Sequence, residues 1–126
     1  MLEMLPLISA AVRFAAMYSA AAIYTGLRVG TQVDALAQAT EYSQIWNELI
    51  QIPCNQPELE VVNPLLELDP WQVVDLGVQV HAPLDRTWSC IEETSEPCWS
   101  CPGCRRREQA FTQAAKPDPI RVLRKV

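Results

Sequence analysis

Four of the five cysteines, Cys90, Cys98, Cys101 and Cys104, crowd into one stretch, TWSCIEETSEPCWSCPGCRRREQAF. Their spacing is C-x7-C-x2-C-x2-C. A CxxC turn brings two sulfurs onto one metal ion. The third thiol at the same spacing extends that corner, and the more distant Cys90 completes a tetrahedral set of four sulfurs, which suits Zn2+. Four protein ligands leave no open coordination position, so such a site is structural and not hydrolytic. Two other chemistries use the same residues. C-x2-C-x2-C also occurs where cysteines hold an iron–sulfur cluster, and four cysteines can pair as two disulfides in an oxidising compartment. Gly103 gives the second CxxC turn a permissive backbone, whereas Trp99 in the first does not. Trp88 is expected to pack over the cysteines and restrict solvent access. Cys54 stands apart after Pro53 and reads as an ordinary half-buried thiol. His81 has no ligand pattern around it.

The chain has 126 residues and a net charge of −5, which argues against a generic nucleic-acid binder. The charge is uneven. Up to Cys104 only Arg13, Arg28 and Arg86 stand against thirteen acidic side chains. From Arg105 onward seven basic residues face Glu108 and Asp118. Arg105, Arg106 and Arg107 follow the last cysteine, where they either offset the charge of a metal–thiolate site or form a solvated helix face. The longest uncharged run, Phe14 to Leu27, is shorter than the roughly 20 residues needed to span a bilayer. Glu3 and Arg13 do not fit a secretory leader. A cytoplasmic, reducing setting is therefore expected, with no membrane contact.

The elements that must carry these residues alternate. LEMLPLISAAVRFAAMYSAAA reads as a helix, apolar nearly all round, with Leu5, Ile8, Val12, Ala16 and Ser19 on one stripe and Pro6 in its first turn. AIYTG is a short buried strand ended by Gly26. After a loop through RVGTQVDA, a second helix over 36–52 places Ile45, Leu49 and Ile52 near one face with Trp46 beside them. ELEVVNPLLEL reads as a second strand centred on Val61, Val62 and Leu65. Asp69 and Pro70 start a short helix that closes near Gly77. RRREQAFTQAA is a last helix ending before Pro117. Strands alternating with helices imply an α/β fold with a parallel sheet. Two strands make an incomplete sheet, so a partner is expected to cover what they expose.

TWSC, the C-x2-C-x2-C run, Arg107 and the pair Ala110–Phe111 together resemble the C-terminal signature of the 7-cyano-7-deazaguanine synthase family (QueC), a group of PP-loop ATP pyrophosphatases in queuosine precursor synthesis. The helix running into AIYTG, the Glu41–Tyr42 pair and NPLLELDPWQVVDLGV are similar to further family segments, so the match covers most of residues 5–119. The resemblance implies an incomplete sheet of the adenine-nucleotide alpha hydrolase (HUP) type. It divides the chain into an α/β part over 1–86, a four-cysteine zinc loop with its helix over 87–115, and a basic tail over 116–126. It also implies ATP-dependent conversion of a deazaguanine carboxylate to an amide and then a nitrile, with structural Zn2+. Thr25, Gly26, Glu41 and Arg107 would contact the deazaguanine-type molecule.

The chain departs from the family where phosphate is held. The family's Ser-Gly-Gly-x-Asp-Ser loop, whose amides cradle pyrophosphate, has no counterpart among Gly26, Gly30, Gly77 and Gly103, no two of which are adjacent. Pro70 stands where the family has a phosphate-touching lysine. Leu5–Pro6 replaces Arg-Asn, and residues 37–39 (Ala-Gln-Ala) replace Asp-Cys-Arg. ATP and Mg2+ are therefore expected only with a separate ATP-loop subunit, and the family's dimers make a homodimer the other expected partner. An alternative is a catalytically degenerate paralogue that serves as a structural or partner-binding module, of the kind that also occurs in defence operons.

Overall fold

A computed structural model describes residues 2–122. The order is α1 (Met4–Met17), β1 (Ala22–Tyr24), α2 (Val33–Gln51), β2 (Glu60–Val62), α3 (Pro70–Gln79), a 3-10 turn (Leu84–Arg86), α4 (Pro102–Gln113) and α5 (Pro119–Val122). The chain divides into two compact units, one up to Leu68 and one from Asp69. The short helix α3 therefore falls with the cysteine segment, not with the sheet as the 86/87 boundary had it.

In the first unit β1 and β2 pair in parallel, with Ile23 opposite Val61. One apolar cluster covers this face. It holds Ile8 and Ala15 of α1, Trp46 and Ile50 of α2, and Leu59 and Val61, with Met4, Val12, Ile23 and Tyr42 packed against it. Both helices therefore lie on the same face of the sheet. The buried stripe of α1 is Met4–Ile8–Val12–Ala15, rotated from the expected one, and Leu5 is exposed. The rotation leaves Leu7, Phe14 and Met17 largely in solvent, at 63, 60 and 71 % exposure. A helix that is apolar all round gives no sequence signal for which stripe goes in. Helix α2 begins at Val33, earlier than expected, and turns Ala39, Trp46 and Ile50 inward while Ile45, Leu49 and Ile52 face out.

The two edges of the sheet differ. β2 ends after three residues, because Pro64 follows and the chain turns through 63–68. On its outer side the Asn47 side chain takes the place of a third strand. The Val61 N–H donates to Asn47 Oδ1 at 2.8 Å, and Asn47 Nδ2 donates to the Val61 carbonyl at 3.3 Å. Among the described residues β1 has no second strand neighbour. Beyond it the chain folds back at Gly30 (φ 77°), whose left-handed conformation suits glycine. Val29 and Gly30 there donate to the Leu66 carbonyl at 2.9 and 3.1 Å.

In the second unit, α3 starts as the sequence indicates. Asp69 is the N-cap, Pro70 is the first helical residue, and Gln72 Oε1 accepts from the Asp69 N–H at 2.8 Å. The helix does not close at Gly77 but runs to Gln79. A Cβ at Gly77 would lie 3.2 Å from Leu84, so glycine there makes room for that side chain. Val74 of α3 joins Ala110 and Phe111 of α4 in a second cluster, edged by Leu84 and Ala114. Only 123–126 of the expected basic tail lie outside the described residues. No helix among the described residues is long and apolar enough to cross a membrane.

Asn47→Ala tests the capped edge. It leaves the N–H and C=O of Val61 without their side-chain partner. The expected cost is about 1–3 kcal/mol, read as a lower urea midpoint together with faster hydrogen exchange at Val61. An unchanged midpoint would mean that water serves this edge equally well.

A four-sulfur candidate metal centre

The cysteine segment has no regular structure until Pro102, yet its sulfurs converge. The four Sγ atoms lie within 4.8 Å of one another, and Cys101 Sγ is 3.9 Å from Cys90 Sγ. One Zn–S distance of about 2.3 Å puts sulfurs of a tetrahedron about 3.8 Å apart, so the set fits a single ion of that size. Cys90, Cys101 and Cys104 are buried, and Cys98 is at the surface. None of the cysteines is in a disulfide.

Backbone amides point at the sulfurs. Glu92 and Cys98 N–H groups donate to Cys90 Sγ, each at 3.4 Å. The Cys101 N–H donates to Cys98 Sγ at 3.3 Å and the Cys104 N–H to Cys101 Sγ at 3.4 Å. Such donors stabilise thiolate over thiol. The hydroxyl of Ser100, then its amide and that of Cys101, lower the Cys98 thiol to about 6. The amides of Cys104 and Ile91 lower Cys101 against its burial. Burial, reinforced by the Cys101 side chain, pushes Cys104 up to about 12. Protein groups alone thus favour anions at the rim and a protonated thiol at the bottom. A cation in the centre would remove that last proton, because a metal takes the thiolate form of cysteine.

The local fold follows from a few residues. Cys101 is the N-cap of α4, its sulfur accepting from Cys104 N–H, and Pro102 occupies the first helical position. The last helix therefore begins inside the cysteine run, earlier than the expected start at 105, and Cys104 is itself helical. Gly103 does not supply a left-handed turn. A Cβ at this position would sit 1.9 Å from the Ser89 carbonyl oxygen, so glycine is required for close approach of two backbones. The left-handed residue is Trp99 (φ 57°), the position from the sequence that offered no such freedom. Its ring lies under the Arg121 guanidinium, 4.6 Å away. Trp88 is half exposed and does not join the buried cysteine cluster. Cys54 is exposed, not half-buried.

Arg107 has a role that the sequence did not suggest. Its Nε and Nη2 donate to Asp118 Oδ2 and Oδ1 at 2.6 and 2.8 Å, Nη1 donates to Thr87 Oγ1 at 2.7 Å, and Nη2 also donates to the Leu84 carbonyl at 3.1 Å. The pair is buried, with side chains 8 and 5 % exposed, and the guanidinium lies 4.9 Å from the Phe111 ring. Asp118 also caps α5 through the Ile120 N–H. Four of the five guanidinium N–H donors are thus spent inside the unit, fastening the segment before Cys90 and the segment after α4 to α4 itself. Arg105 donates to the Ser100 carbonyl at 3.0 Å.

The other expected site residues lie in the first unit. Thr25 and Gly26 follow β1 and line a groove of about 600 Å3 beside α1. The Thr25 hydroxyl donates to Asn63 Oδ1, Asn63 Nδ2 donates to Ser43 Oγ at 2.7 Å, and Ser43 donates to the Ala39 carbonyl at 2.8 Å. This chain of bonds ties the exits of both strands to α2. Glu41 is exposed on α2 and does not line that groove. It sits well inside the helix that Val33 begins, and the acid of the first turn is Asp34.

Two substitutions probe the centre. Gly103→Ala is expected to abolish stoichiometric metal binding, because the Ser89 carbonyl cannot retreat without moving Cys90; retained metal at one per chain would contradict the packing. Arg107→Ala leaves Asp118 buried and without its charge partner. The expected cost is about 3–5 kcal/mol, with Arg107→Lys recovering only part of it because the two-pronged contact is lost.

A sequence model of the family described as queuosine biosynthesis protein QueC matches residues 4–115. The chain is 37 % identical over 81 residues to a 7-cyano-7-deazaguanine synthase of Chlorobium chlorochromatii, covering 63 % of this chain and 35 % of that protein. It is 31 % identical over 114 residues to that of Koribacter versatilis, covering 90 % of this chain and 48 % of the relative. For the relative from Methanothrix thermoacetophila the figures are 30 % over 115 residues, 90 % and 51 %. The chain thus spans about half the length of these relatives or less. No solved structure matches it. The match over nearly the whole chain, anchored on a four-cysteine cluster of the expected spacing, places it in the QueC family.

Proposed function

We propose that this chain is the zinc-bearing part of a 7-cyano-7-deazaguanine synthase-like protein. It would help convert a deazaguanine carboxylate to the amide and then the nitrile, once an ATP-loop segment of the PP-loop type completes it. The observation that carries this reading is the convergence of Cys90, Cys98, Cys101 and Cys104 in a chain of this family.

Zinc suits the four sulfurs better than the two rivals. The ligands of an iron–sulfur cluster attach to different iron atoms and stand further apart than those of one ion. A disulfide needs about 2.05 Å between sulfurs, against 3.9 Å for Cys90 and Cys101. When bound, zinc with four sulfur ligands supplies rigidity and no catalytic position. It would fix the course of the chain from Trp88 into α4. Metal-ligating thiols fit a reducing, cytoplasmic setting.

In the first unit, Thr25 and Gly26 stand at the carboxyl end of a parallel strand, where open α/β sheets take their ligands, and are proposed to meet the deazaguanine. Glu41, exposed on α2, is free to face the same molecule. Arg107, with one donor left, is proposed to position the zinc loop rather than to grip substrate directly. ATP and Mg2+ would be held by the completing segment, which is either a separate subunit or part of an assembly with a second copy. Pro70 in the place of a family lysine, and the engagement of Arg107, favour a second reading: a non-catalytic paralogue in which zinc stiffens a partner-binding module.

Metal analysis of protein purified from ordinary cytosol should give one zinc per chain. Cys98→Ser should lower both zinc content and stability. Iron with visible absorbance would refute the assignment. Because the ligands must lose protons to bind, zinc affinity should fall as pH is lowered.

Calorimetry of the chain alone with ATP and Mg2+ should show no micromolar binding, the level of about −8 kcal/mol. Supplying an ATP-loop segment with ATP, ammonium and the carboxylate should yield nitrile by mass spectrometry. A complex that forms but makes no product would favour the non-catalytic reading.

A further inference from the structure

We infer that the outer edge of β1 receives a parallel strand from the α/β segment that the longer relatives carry outside the stretch matched here. This rests on the reading above, that such a segment completes the protein, and adds where and in which direction it attaches.

Three observations converge on this edge. The first is hydrogen bonding. The Thr25 N–H donates to the Val62 carbonyl and the Glu60 N–H donates to the Ala21 carbonyl, so by strand alternation Ala22 and Tyr24 turn their N–H and C=O groups away from β2. The opposite edge, at Val61, is closed by Asn47. Only β1 can extend the sheet without displacing a side chain that already holds the ladder.

The second is handedness. Helix α2 connects two parallel strands, β1 and β2, and α1 leads into β1 on the same face of the sheet. Crossovers between parallel strands are right-handed in nearly all proteins. Two right-handed crossovers on one face step in the same direction across a sheet. A strand feeding α1 therefore lies on the side of β1 away from β2 and runs parallel to it. A second copy of this chain pairing β1 with β1 about a two-fold axis would run antiparallel instead.

The third is the surface beside the edge. The groove of about 600 Å3 is walled by Leu7 and Ala11 of α1 and by Ile23 and Tyr24 of β1. Leu7 and Phe14, one behind the other on α1, are mostly exposed, as is Tyr24 at 73 %. A strand with apolar side chains toward α1 would cover this stripe.

The test uses the full chain, co-expressed with the part of the Methanothrix thermoacetophila relative that lies outside the 115 aligned residues. The expected result is a complex in which the Ala22 and Tyr24 amides exchange hydrogen at least about tenfold more slowly than in the chain alone, as paired amides do. Tyr24→Pro, which removes an outward N–H and spares the β2 ladder, should weaken the complex by about tenfold or more. Asn47→Ala, at the other edge, should leave it unchanged. A complex with unprotected Ala22 and Tyr24 and no effect of Tyr24→Pro overturns the docking edge while leaving the partner reading intact. Self-association of the chain with β1 protected makes the occupant a second copy and overturns the proposal. Failure of the segment to co-purify overturns the partner reading and the edge together.

Discussion

Four sulfurs gathered within 4.8 Å are a constraint that the second unit satisfies at the expense of its ordinary preferences. To bring Cys98 and Cys101 to one point, the chain places a tryptophan in the left-handed region at residue 99, where a bulky side chain is strained. To bring Cys90 beside Cys104, the Ser89 carbonyl enters the space a side chain would fill at Gly103. Protein groups drive the buried Cys104 thiol toward its neutral form while they draw Cys98 toward its charged form. One divalent cation resolves this conflict, since it rewards the thiolate at the bottom of the cluster as well as at its rim. The loop is therefore a structure whose local strain is balanced by a single central charge.

That balance needs fixed walls, and these come from contacts outside the loop. Arg107 gathers Leu84, Thr87 and Asp118 around one guanidinium, and Arg121 joins Glu108 to the face of Trp99. A buried ion pair is not an efficient source of stability compared with apolar packing. Its value lies in direction. The flat guanidinium accepts only one arrangement of its partners, so the stretches of chain entering and leaving the cysteine loop are held in register with α4. Zinc and arginine thus act in the same unit on different scales, one fixing sulfur positions and the other fixing the segments that bear them.

The sequence made some of this legible. Ligand identity is written in spacing, because CxxC can be read without knowing the backbone. The capped start of α3 is equally local, since Asp69, Pro70 and Gln72 act within one turn. The misreadings concern choices between near-equal alternatives. Helix α1 offers apolar residues on every side, so Met4 and Ala15 rather than Leu5 and Ala16 go inward only because the sheet lies there. In α2 the same holds for Ala39, Trp46 and Ile50 against Ile45 and Leu49. Asn47 looks like any polar helix residue until Val61 is seen beside it. Arg107 and Asp118 are eleven residues apart, and they meet only because the chain reverses after α4 through a left-handed Ala115. An alanine gives no warning of such a turn.

The unlike edges of the small sheet make sense beside the longer relatives. A protein selected to work as two strands alone would gain by closing both edges, since an open strand invites unspecific pairing. Here one edge is closed by the side chain of Asn47, and the other is left open beside an uncovered apolar stripe. The asymmetry has a plain physical meaning. Stability sets the need for a cap at Val61, where nothing else is to come. At Ala22 and Tyr24 a cap would compete with a strand of the larger sheet that relatives of about twice this length have the chain to build.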